Sequence, residues 1–165
     1  MTLAIIDSGG ANIGSVRFAL QRLGVESVFT ADADVIRRAD RVILPGVGAA
    51  AAAMNQLNAH GLVDTIRSLT QPVLGICLGM QLLFESSSEG DVDCLGIIPG
   101  RLEHFPDAPR LRIPHMGWNH TDTVRNDPLL EGLGEEPWFY FVHSYYAPVC
   151  EATIASCRHG VAFSA

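Results

Sequence analysis

Residues 75–79 read Gly-Ile-Cys-Leu-Gly, a cysteine between two glycines at the end of the apolar run 73–76. A nucleophile held in a sharp strand-to-helix turn needs unusual backbone angles. Glycines two positions to either side relieve the crowding, as in the G-x-S-x-G turn of serine hydrolases. The turn predicts that the Cys77 sulfur sits at the N-terminus of a helix beginning near Leu78, where the peptide dipoles favour a thiolate. The chemistry implied is attack on an acyl carbon, with the N–H of Leu78 as one oxyanion donor and the Gly-Val-Gly turn at 46–48 supplying another. A buried structural cysteine is the plainer account of any single thiol. Here the spacing, between a strand-like and a helix-like run, favours the nucleophile. Cys94, Cys150 and Cys157 lack such neighbours, and four cysteines this irregularly spaced make neither a disulfide framework nor a CxxC zinc site. No metal and no cofactor is expected.

Two other glycine turns follow strand-like runs. "DSGGANIGSV" (7–16) places Gly9 and Gly14 at P-loop spacing, but Ser15 stands where a phosphate-binding lysine belongs and Ala11 breaks the dinucleotide pattern. It reads as a tight turn with Asn12 near a helix cap. "LPGVGAA" (44–50) precedes a helix-like run and could aim backbone N–H groups at an anion, a weak signal unless it lies beside the cysteine turn.

The elements that must position these turns alternate. "LAII" (3–6), "VILP" (42–45) and "VLGI" (73–76) lack period-2 polarity, as parallel strands covered on both faces do. Between them, 12–24 and 49–61 read as helices, each ended by a glycine. The pattern predicts an α/β fold: a doubly wound, mostly parallel sheet with helices on both faces. From about residue 91, "LGIIPGRLEHF", "PWFYFVHSYYAPV", "ATIASC" and "GVAFSA" predict a smaller antiparallel extension. With 165 residues, a single domain is expected.

The net charge is −7 with 11 scattered Lys and Arg, which argues against a nucleic-acid partner. No apolar run is long enough to span a bilayer, and "MTLAIIDSGG" lacks a signal-peptide pattern, so a cytoplasmic protein is expected.

"PGVG", "GICLGMQLL", "IPHMGWN" and "FVHSYY" occur in the order and spacing of the class I (triad-type) glutamine amidotransferases. Over its whole length the chain resembles the glutaminase subunits of that family that serve imidazole glycerol phosphate synthesis in histidine biosynthesis. The resemblance implies that Cys77 attacks the side-chain amide of glutamine, releasing ammonia through a thioester. It implies that the N–H groups of Val47 and Leu78 hold the oxyanion, that Gln81 reads the substrate amide, and that Gly48, His143, Ser144 and Tyr145 clasp the amino-acid end. It also implies a (β/α)8-barrel cyclase partner that receives the ammonia, faced by Asn12, His115, Met116 and Trp118.

Two departures bear on the expectation. The first turn reads Asp-Ser-Gly-Gly-Ala-Asn where the family more often has Asp-Tyr-Gly-x-Gly-Asn, leaving Asp7, Gly9 and Asn12 in register. More seriously, the family's general base and its orienting carboxylate lie in a His-Pro-Glu segment, and none of the six histidines begins one. The chain therefore reads as cut short at its C-terminus, without the last strands and helix, and as inactive alone. Two other classes stay open: a partner-binding subunit whose site has decayed, and another cysteine enzyme or redox sensor on a similar sheet.

Overall fold

The computed structural model describes residues 1–9, 13–134 and 137–165. The chain divides into two compact units, Met1–Pro99 and Gly100–Ala165.

The first unit runs β1 (Leu3–Ile6), α1 (Ile13–Arg22), β2 (Ser27–Thr30), α2 (Ala33–Arg38), β3 (Arg41–Gly46), α3 (Ala50–Ala59), α4 (Val63–Arg67), β4 (Val73–Cys77), α5 (Leu78–Gln81), β5 (Phe84–Ser87) and β6 (Val92–Asp93). Strands 1–4 form a parallel sheet in the order β2-β1-β3-β4. Because side chains alternate across a strand, one sheet is read twice. Ala4, Ile6, Val42 and Leu44 pack with Ile36 of α2, Met54 and Leu57 of α3, and Ile66 of α4. Leu3, Ile5 and Ile43 face the other way, against Ile13, Val16 and Leu20 of α1. The apolar runs of β1 and β3 thus mark strands buried on both faces, and the doubly wound architecture is the one expected; β4, expected to be covered on both faces as well, is instead an edge strand with Leu74 and Ile76 exposed.

Caps fix the ends of these helices. The Asp32 carboxylate accepts from the N–H groups of Asp34 and Val35 at 2.8 and 3.1 Å at the start of α2. At α3, whose N-cap Ala49 has no side-chain acceptor, Glu89 reaches in from a distant loop and accepts from Ala50 N at 2.9 Å. Gly61, at φ +64°, turns the chain out of α3.

The second unit is antiparallel. It comprises β7 (Ile98–His104, beginning just before the boundary), β8 (His115–His120), β9 (Asp122–Thr123), a 3₁₀ turn (Pro128–Leu130), β10 (Trp138–His143), β11 (Tyr145–Tyr146), β12 (Ala155–His159) and β13 (Val161–Ser164). β8 pairs with β10 from His115↔His143 to His120↔Trp138. β7 pairs with β11, and β12 lies between β9 and β13. Phe105, Tyr146, Cys157 and Phe163 form the core. The β8–β10 ribbon alternates by twos: His115, Phe141 and His143 turn inward, while Met116, Trp118, Trp138, Tyr140 and Val142 stand exposed on the opposite face, and Phe139, which shares the inward parity, is exposed near the end of the ribbon.

Candidate active site

Cys77 ends β4 with φ 54° and ψ −118° and is exposed to solvent. A non-glycine residue in that region costs about 1–3 kcal/mol and persists only where its surroundings enforce it. The surroundings are three glycines whose missing side chains let main chains touch. A Cβ on Gly79 would lie 1.8 Å from the carbonyl oxygen of Leu44, one on Gly75 would lie 2.5 Å from the Cα of Met80, and one on Gly46 would lie 2.7 Å from the N of Gly79. The G-x-C-x-G spacing is therefore a packing requirement: β3, β4 and α5 approach backbone to backbone, and Cys77 is held over the contact.

The helix behind the nucleophile is shorter than the sequence suggests. α5 is a single turn closed at Leu82, because the carbonyls that would continue it are taken elsewhere. Leu82 O accepts from Leu95 N at 2.9 Å, and Leu83 O accepts from the N–H groups of Ile97 and Ile98 at 2.8 Å. One turn carries little macrodipole, so the helix expected behind the cysteine is too short to supply a strong one.

Parallel pairing brings the second glycine turn to this point. Gly46 lies opposite Cys77 in the β3–β4 register, and Val47 and Gly48 follow it, Val47 exposed and Gly48 at φ +87°. Leu78 is buried at the first position of α5, and Gln81 closes the same turn. Cys77, Leu78, Gln81 and the 46–48 turn are thus neighbours within the first unit. Its one histidine, His60, ends α3 with a ring nitrogen 2.7 Å from the Gln56 amide nitrogen.

His143, Ser144 and Tyr145 lie in the second unit, where β10 passes into β11. Met116 and Trp118 project from the outer face of β8, Trp118 with 67% of its surface exposed. His115, expected beside them to face a partner, instead points inward and is 5% exposed. Residue parity explains the difference, since 115 and 116 fall on opposite faces of one strand. Asn12 lies outside the described residues.

Sequence reasoning missed the inner histidine cluster. His115 Nδ1 and His143 Nε2 are 2.9 Å apart, and His159 stacks on His115 at 4.2 Å. Burial, with His159 and His143 adding to it, pushes the His115 imidazole down from the usual 6.5 to about 4. Burial also lowers His143, against an opposing hydrogen bond to the Tyr145 carbonyl. The available signal was the alternation of Met116 and Trp118 with His115, Gly117 and Asn119; the apolar run 138–142 carries none. The thiols differ in the same physical terms: burial pushes Cys94 up to about 11, with Asp93 contributing, and also raises Cys157. Among the described residues, no cluster of three or more His, Cys, Asp or Glu is placed to hold a metal ion, and no helix is long and apolar enough to cross a membrane.

Residues 4–163 match the family described as "Glutamine amidotransferase class-I". The chain is 56% identical over 163 residues to the imidazole glycerol phosphate synthase subunit HisH of Xanthomonas campestris pv. campestris, covering 99% of this chain and 82% of that protein. The same-named subunit of Xylella fastidiosa strain Temecula1 is 55% identical over the same shares. Among solved structures, a glutamine amidotransferase superposes with a TM-score of 0.72 at 17% identity, covering 98% of this chain and 87% of that one. A putative GMP synthase component from Thermoplasma acidophilum gives 0.65 at 16%, covering 98% and 79%. These two speak for the fold alone; the sequence match speaks for the family. With a family match over residues 4–163 and relatives of this identity, the chain belongs to the class I glutamine amidotransferases.

Proposed function

We propose that this chain is the glutaminase subunit of an imidazole glycerol phosphate synthase, acting in histidine biosynthesis and delivering ammonia to a (β/α)8-barrel cyclase subunit. The observation that carries the reading is Cys77, exposed at positive φ in a turn enforced by backbone contact. In the reaction, the thiolate sulfur attacks the side-chain amide carbon of glutamine and the carbonyl oxygen becomes an oxyanion. The Val47 and Leu78 N–H groups receive it. Collapse breaks the C–N bond, and the nitrogen leaves as ammonia after gaining a proton. Water then cleaves the thioester, yielding glutamate and restoring the thiol. Gln81 orients the amide, while Gly48, His143, Ser144 and Tyr145 hold the amino-acid end. Met116 and Trp118 face the cyclase.

The proton donor and base are a separate matter. His60 is engaged by Gln56, His104, His115, His143 and His159 are engaged within the second unit, and His120 lies on the exposed face of β8 against the Trp138 ring. We read none of them as the base. Residues 1–165 alone should then turn glutamine over about 10²–10⁴-fold more slowly than a chimera continued by a relative's His-Pro-Glu segment. The test measures ammonia release from both with saturating cyclase. Loss of release on Cys77→Ser in the chimera supports the assignment. Undiminished release would overturn it, and equal turnover of the two unmutated chains would place the base within these residues.

A further inference from the structure

Asn119 belongs to the "PHMGWN" run, and the reaction above gives it no task. Its side-chain nitrogen lies 3.3 Å from His115 Nε2 and 3.1 Å from the carbonyl oxygen of Arg158, while its side-chain oxygen accepts from His120 N at 3.0 Å. At the far end of the cluster, His143 Nδ1 lies 2.8 Å from the carbonyl oxygen of Tyr145. A carbonyl only accepts, so His143 Nδ1 carries the hydrogen. In a neutral ring Nε2 is then the acceptor, and its partner His115 Nδ1, 2.9 Å away, is the donor. That leaves His115 Nε2 to accept, which Asn119 satisfies. Every hydrogen in the chain is therefore assigned, in one direction.

We propose that Asn119, His115 and His143 form a one-way hydrogen-bond relay ending on the Tyr145 carbonyl, and that these residues position the 143–145 segment for glutamine. The second half of this statement rests on the reading that His143, Ser144 and Tyr145 clasp the amino-acid end of the substrate.

The relay's surroundings keep it neutral. His159 on β12 stacks on His115 with 20° between the rings and donates through Nε2 to the Arg112 carbonyl at 2.8 Å. Phe105, Phe141 and Phe163 close around the three imidazoles. Arg158 and Arg112 meet the cluster through main-chain oxygens. On β7, Glu103 accepts from the Tyr146 hydroxyl at 2.8 Å, and His104 is bonded to the Phe105 carbonyl at 2.7 Å. A proton added to His115 would have to go on Nε2, where it would meet the Asn119 donor head-on and sit against His159. The lowered affinities of His115 and His143 for protons have the same origin.

The relay predicts a signature that ordinary packing does not. A solvated histidine side chain prefers the Nε2–H tautomer, whereas here both His115 and His143 must be Nδ1–H. Imidazole ¹⁵N spectra of the histidine-labelled full chain at neutral pH should show both in that form. Asn119→Asp keeps the shape but replaces the donor by an acceptor, so His115 should convert to Nε2–H or become cationic, and the His143 signals should move. His115→Asn retains a donor towards His143 and should preserve its tautomer, while His115→Phe keeps only the ring and should release it. In a Cys77→Ala background, which prevents turnover, Asn119→Asp should weaken glutamine binding about tenfold. An Nε2–H form of either histidine in the unmutated chain, or tautomers indifferent to Asn119→Asp, overturns the relay. Tautomers that reverse while glutamine binding does not change uphold the relay and overturn the assignment of 143–145 to the substrate.

Discussion

The two units solve the problem of positioning by opposite means. In Met1–Pro99 the proposed site is built on main chain: β3, β4 and α5 meet through glycines, and Cys77 is held where their backbones touch. In Gly100–Ala165 the corresponding order is made by side chains, three imidazoles and an amide whose hydrogens are sorted within an aromatic core. The first arrangement is indifferent to pH and intolerant of a methyl group. The second is the reverse.

The sharpest way to break that contrast is to add methyl groups. Gly79→Ala must displace the Leu44 carbonyl and should cost about 4 kcal/mol or more, read from the urea midpoint. Gly117→Ala in the second unit has nothing within 4 Å and meets only its own backbone strain at φ +137°, about 1–2 kcal/mol. Equal losses would end the distinction.

Protons should act the other way round. His115 binds them less well folded than unfolded, so its contribution is complete above about pH 6.5 and is lost as pH falls towards 4. The loss should reach no more than about 3 kcal/mol. His115→Phe should flatten the pH dependence of the urea midpoint across that interval, and an unchanged slope would show the cluster to be titration-silent.

The two faces of β8 offer a finer comparison. Trp118→Ala on the outer face should leave folding within about 0.5 kcal/mol and weaken cyclase binding by about 2 kcal/mol, measured by titration calorimetry. Unchanged affinity would remove Trp118 from the interface. Thiol reactivity gives a narrower contrast, between an exposed cysteine and two buried ones. A glutamine-like electrophile should label exposed Cys77 at least about tenfold faster than Cys94 or Cys157, followed by peptide mapping. Equal labelling would count against the nucleophile. The smallest contrast is in capping: Asp32→Ala should cost about 1 kcal/mol, whereas Asp127→Ala, which loses one bond to Leu129 N in a 3₁₀ turn, should cost a few tenths.

What was legible in the sequence is what local spacing encodes. β1, β3 and β4 stand where the unbroken apolar runs put them, and Cys77 where G-x-C-x-G put it. β2 escaped because "SVFT" is a short edge strand with half-exposed residues, and α2 and α4 because six and five residues are too few to show a period. The one-turn length of α5 depends on bonds to Leu95, Ile97 and Ile98, more than a dozen residues away, which no window around Cys77 contains. Likewise the Asn119 relay needs the β8–β10 register, which brings His115 to His143 across 28 residues. The inward turn of His115 follows from parity once β8 is known to be a strand, yet "PHMGWN" reads as a motif before it reads as alternation.

The bond from Glu89 to Ala50 bears on competition at the site. An open helix start is a place where phosphate or a free carboxylate can lodge, but at α3, immediately after the 46–48 turn, a resident carboxylate already occupies the first N–H. A diffusing anion finds that N–H taken and meets a like charge. In the proposed reaction the turn is therefore left for a carbonyl oxygen that becomes negative only while its carbon is bonded to the Cys77 sulfur. Inorganic phosphate should accordingly be a poor competitor of glutamine in the unmutated chain, and Glu89→Gln should make it a better one.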